Sequence, residues 1–135
     1  MLDTFLTPPN TIATAKGDGP PLDLSGARHR VFLLNLAVTN IVEQEALDLT
    51  IYASADGVAW GAKPIASFPQ KFYRGEQPLL LDLTAQPDVH FIRAHWDAIR
   101  WGRGPETPMF EFSVTLKEIS PEILTETRSE ARSRM

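Results

Sequence analysis

Three histidines, seventeen carboxylates and no cysteine make up the obvious chemical repertoire of this chain. Their spacing argues against catalysis. His90 and His95 are five apart on what reads as a strand, which puts them on opposite faces, and His29 is distant in sequence. No metal set forms from them. Asp18, Asp56 and Asp88 each stand beside a glycine or a proline, which is turn chemistry and not a calcium loop. Glu43 and Glu45 lie two apart in a polar stretch, where carboxylates are usually just solvated. The chain has no GxSxG, no phosphate-cradling glycine-rich loop and no HExxH. Without cysteine, thiol catalysis, disulfides and cysteine-ligated metals are excluded. The expectation is a non-enzyme with no catalytic, cofactor-binding or metal-binding residue.

Residues suited to contact are easier to name. Arg100, Trp101 and Arg103 sit in the glycine- and proline-rich run RWGRGP, and Lys71, Phe72, Tyr73 and Arg74 form a second basic-aromatic run. Aromatic and arginine side chains together anchor protein interfaces, and they also stack on sugar rings. Leu2, Phe5 and Leu6 precede Pro8-Pro9, so residues 1–10 read as an arm whose three apolar side chains need cover. Trp60 and Trp96 are expected in the core, Trp96 because it alternates with Ile92.

The elements that must hold these residues are strands. Leu47, Leu49, Ile51 and Ala53 alternate with Asp48, Thr50, Tyr52 and Ser54, and Asp56-Gly57 supplies a tight turn. Trp60 is then expected near the start of the return strand. Ile92, Ala94 and Trp96 alternate with Arg93, His95 and Asp97, and Phe110, Phe112, Val114 and Leu116 with Glu111, Ser113, Thr115 and Lys117. VFLLNLAV, residues 31–38, is apolar on both faces, as a strand is when something covers it on each side. Short strands are also expected at 11–16, 22–24, 65–68 and 79–83, separated by eleven prolines and eight glycines. Beyond Ser120-Pro121-Glu122, which suits a helix start, the sequence TETRSEARSRM is almost without apolar residues. It reads as a frayed helix or a disordered tail.

At 135 residues the chain fits one domain. A net charge of −4 speaks against a general nucleic-acid binder. MLDTFLTPPN lacks the basic start and apolar run of a signal peptide, and no window is long enough to span a membrane. A cytoplasmic protein, or one within an assembled particle, is the expectation.

YASADGVAW resembles the strand–turn–strand of discoidin-like, or galactose-binding-like, sandwiches, with their Ser-x-Asp-Gly-x-x-Trp pattern, and FIRAHW resembles a later strand of those folds. Together with the closing GPETPMFEFSVTL, the hairpin also resembles small β-sandwich proteins of bacteriophage structural gene clusters. These resemblances imply a fold and, at most, an assembly setting. The bridging cysteines of discoidin-like domains have no counterpart in this chain.

The reading is therefore all-β: a single antiparallel β-sandwich of jelly-roll type over 11–119, with an N-terminal arm at 1–10 and a polar tail at 120–135. Its expected role is that of a non-catalytic subunit of a larger assembly, meeting other protein subunits, self or hetero, without cofactor. Contact is expected through Leu2, Phe5, Leu6, Tyr73, Arg74, Arg100, Trp101 and Arg103. The alternative is a carbohydrate-binding module that stacks glycan on Trp101 and Tyr73.

Overall fold

The computed structural model describes residues 2–41, 45–100 and 109–120. Nine strands and no helix appear among them: β1 Asp3–Ala13, β2 Gly17–Asp18, β3 Leu22–Asp23, β4 Val31–Ile41, β5 Glu45–Ser54, β6 Ala66–Ser67, β7 Gly75–Asp82, β8 Phe91–Arg100 and β9 Phe110–Glu118. The antiparallel pairs are nested. β5 pairs with β6, β4 with β7, β2 and β3 with β8, and β1 with β9. The chain is thus one long hairpin with its tip between β5 and β6, and successive nested pairs fall alternately into two sheets. Rolled up, it gives one sheet of order β1-β9-β4-β7 and a second of order β2-β8-β5-β6, with β3 also on β8. This is a jelly-roll β-sandwich.

Alternation sets which residues fill the space between the sheets. Phe32, Leu34, Leu36 and Val38 of β4 and Phe110, Phe112, Val114 and Leu116 of β9 face Leu47, Leu49 and Ile51 of β5 and Ile92, Ala94, Trp96 and Ala98 of β8. Trp96 meets Phe112 edge-on across the gap, with ring centroids 5.3 Å apart, the arrangement aromatic quadrupoles favour. Trp96 also explains Gly17, because a Cβ there would lie 2.6 Å from its indole nitrogen.

Three local expectations are corrected. Residues 3–13 are a strand and not an arm. Pro8, Pro9 and Asn10 occupy an irregularity in the β1–β9 ladder between Thr7 and Thr11, where proline's missing N–H leaves no rung open. Asn10 turns the chain there with a φ of 63°, a conformation asparagine tolerates. Asp56-Gly57 does not lead straight into a return strand: the Gly61 N–H reaches the Ala53 carbonyl at 3.3 Å, and pairing with β5 resumes only at Ile65, whose N–H bonds to the Ile51 carbonyl at 2.8 Å. Trp60 is half-buried outside the core, with the Arg93 guanidinium 4.3 Å above its ring. The expected helix or tail lies almost wholly in 121–135, outside the described residues.

Candidate functional site

The signature turn is a structural device. Ser54 is buried, and its hydroxyl donates to the Ala59 carbonyl at 2.6 Å while accepting the Gly57 N–H at 2.9 Å. Asp56 Oδ1 accepts the N–H groups of Val58 and Ala59 at 2.8 and 2.9 Å. Those bonds, with Ser54, outweigh desolvation and hold the Asp56 carboxyl below its ordinary range. Gly57 has φ of 80°, and the Phe91 ring lies 3.3 Å from where a Cβ would stand. The Ser54 hydroxyl and Asp56 Oδ1 are spent on the loop itself.

On the outer face of the β2-β8-β5-β6 sheet, β8 alternation presents Arg93, His95 and Asp97. His95 Nδ1–H donates to Asp18 Oδ1 at 2.8 Å, with Arg93 Nε 3.8 Å from the same oxygen. Tyr52 sets its ring edge-on to His95 at 5.6 Å. This network ties the two-residue β2 to β8. No group of three or more acidic or histidine side chains among the described residues could hold a metal ion. His90 lies apart from His95, its Nδ1 3.2 Å from the Ala55 carbonyl.

The outer face of the β1-β9-β4-β7 sheet differs in chemistry. Register aligns its outward residues in rows: Asp3, Lys117, Leu33 and Leu80; then Phe5, Thr115, Asn35 and Pro78; then Ser113, Ala37 and Glu76; then Ile12, Glu111 and Asn40. Leu33, Leu80, Phe5 and Ile12 are 39, 43, 46 and 51% exposed, and they are half of the large apolar side chains that the described residues leave in water. The edges of this sheet are blunted by Pro8-Pro9 on β1 and Pro78 on β7, which discourages pairing by strand addition. What the sheet offers a partner is its face.

The structure divides the residues expected to make contacts. Leu6 is core, 1% exposed. Leu2 is half-buried and packs against the core, with its N–H bonded to Glu118 Oε1 at 2.9 Å. Phe5 is on the exposed face. Tyr73 and Arg74 are exposed just before β7, and the Tyr73 ring lies 4.2 Å from Nζ of the otherwise buried Lys71. Arg100 ends β8, and Trp101 and Arg103 fall outside the described residues. Sequence reasoning missed Leu33, Leu80 and Ile12 as surface residues. The signal for Leu33 was present in the doubly apolar VFLLNLAV, whereas Leu80 needed the register that sets it directly opposite Leu33. No family model matches the chain, and no curated protein is significantly similar to it. Among the described residues no helix is long and apolar enough to cross a membrane.

Proposed function

We propose that the protein is a non-catalytic interaction module, a subunit of a larger assembly, and that it docks through the outer face of the β1-β9-β4-β7 sheet. The observation that carries this reading is the cross-strand pair Leu33–Leu80, with Phe5 on the same face two strands from Leu33, all exposed on a sheet whose edges proline blunts. Burying such side chains recovers about 1.5–3 kcal/mol each when burial is complete, and less for those already half covered. Their clustering on one face is what a protein contact requires. The resemblance to bacteriophage structural sandwiches gives one setting, a virion-like particle.

Oxidative footprinting of the full chain tests this reading. In extract from the cells that make it, Phe5, Leu33 and Leu80 should be protected relative to the same chain purified and diluted, while Val58 and Phe72 should label equally in both states. Equal labelling of Phe5, Leu33 and Leu80 in both states removes the docking face.

A further inference from the structure

We infer that two copies of the chain exchange their first strands: residues 2–7 leave their own β9 and pair with β9 of the second copy, about a hinge at Pro8-Pro9-Asn10. This contact does not rest on the docking face. β1 is an edge strand, so it can leave without breaking another ladder of its sheet. It is also two ladders in series. Asp3, Thr4, Phe5 and Thr7 stand opposite Lys117, Leu116, Thr115 and Val114, and Thr11, Ile12 and Ala13 opposite Phe112, Glu111 and Phe110. Pro8, Pro9 and Asn10 lie exposed between the two ladders, where β9 supplies only Ser113.

The hinge opens at one residue. Thr7 and Pro8 each precede a proline, which favours extended backbone, and the proline rings fix φ at 8 and 9. The turn back onto β9 therefore rests on Asn10, whose φ of 63° lies in the left-handed region that L-residues enter at a cost. It rests also on the Thr11 hydroxyl, which donates to the Pro8 carbonyl at 2.6 Å. Rotating Asn10 to extended backbone removes the cost and carries residues 2–7 clear of their own sheet. That segment is a complete plug. Leu6 and Thr7 are buried, and Leu2 packs against the core. The Leu2 N–H bonds to Glu118 Oε1 at 2.9 Å, and its carbonyl accepts the Glu118 N–H at 2.7 Å. The second copy offers the same contacts, so they cancel between the closed chain and the exchanged pair. Reciprocal exchange closes as a twofold dimer. The balance is set by the hinge, relieved twice, against the advantage of a short tether, which amounts to an effective concentration of about 1 mM. Exchange therefore belongs to concentrated chain.

Disulfide trapping tests this, because the chain has no cysteine of its own. Asp3 and Lys117 are exposed and directly opposite across the β1–β9 ladder. A chain carrying Asp3→Cys and Lys117→Cys is linked within itself when closed and to the second copy when exchanged. Chain held at about 1 mM, then diluted and oxidised at once, should carry at least about tenfold more interchain links from position 3 to 117 than chain held at about 10 μM. In the same background, Asn10→Gly frees the turn of its cost and should lower the interchain share about tenfold, since the relief counts twice. Thr11→Val removes the bond that closes the turn and should raise it. Intrachain links alone at both concentrations overturn the exchange. Interchain links that join 3 to 3 or 117 to 117 as often as 3 to 117 are collisions and overturn it too. An interchain share indifferent to both hinge variants overturns the hinge. No link of either kind overturns the β1–β9 register on which the exchange depends.

Discussion

Single residues in this sandwich do one of two jobs, filling the inter-sheet space or fixing a loop, and each predicts its own penalty. Phe112 is fully buried and touches Trp96 edge-on, so Phe112→Ala should cost about 3–5 kcal/mol. Urea unfolding measures it, and a loss below about 1 kcal/mol would be the scale of a surface change. Gly57 combines a left-handed backbone with an aromatic ring where a Cβ would go. Gly57→Ala should cost about 1–3 kcal/mol, while Gly61→Ala, with only a backbone oxygen 3.6 Å away and no unusual φ, should cost far less. Equal melting temperatures for the two variants would contradict the account of the turn. The motif Ser-x-Asp-Gly was legible as a turn because glycine and aspartate have local reasons to be there. That Trp60 would leave the core was not legible, since its partner Arg93 is brought alongside by the β5–β8 ladder and not by sequence neighbours.

At the scale of elements, Glu118 ties the end of β9 to the residues that lead into β1 and β4. Its side chain is fully buried, Oε1 accepts the Leu2 N–H, and Oε2 accepts those of Arg28 and His29 at 3.2 Å each. Burial alone would raise its carboxyl, but the three backbone donors and the nearby His29 outweigh burial and hold it below the ordinary glutamate range. A carboxyl depressed on folding adds stability that is complete above the unfolded-state value, about 4.3, and is lost as pH falls through the lower folded value. Stability should therefore fall more steeply below about pH 4.5 in the wild type than in Glu118→Gln. Parallel acid profiles would contradict the clamp. The same contacts make β1 an integral edge strand, so deleting residues 1–9 should lower the melting temperature by removing Leu6 from the core. A truncated chain of unchanged melting temperature would restore the arm. Strands β5, β8 and β9 were readable because their apolar and polar residues alternate, and β4 because VFLLNLAV is a continuous apolar run. β1 was not, because Pro8-Pro9 looks like a stop in sequence and only the ladder with β9 shows the strand resuming at Thr11.

For the molecule as a whole, the two sheets have chemically different outer faces. One outer face carries the polar network of Asp18, Arg93, His95 and Tyr52 with Ile99 exposed near its end, and the other leaves Phe5, Ile12, Leu33 and Leu80 partly in water. Sandwich architecture followed from alternation, whereas the placing of Phe5, Leu33 and Leu80 on one exposed face depended on register between strands far apart in sequence, which alternation alone does not give. The central claim is that this face is a contact surface, and the most direct measurement is the apparent mass of the full chain in extract from the cells that make it, beside that of the Leu33→Asp, Leu80→Asp double variant. Both positions are partly exposed, so the variant should keep the wild-type β-sheet spectrum. The account predicts a wild type heavier than a single chain and a variant at single-chain mass. A folded variant that assembles as fully as the wild type would contradict it.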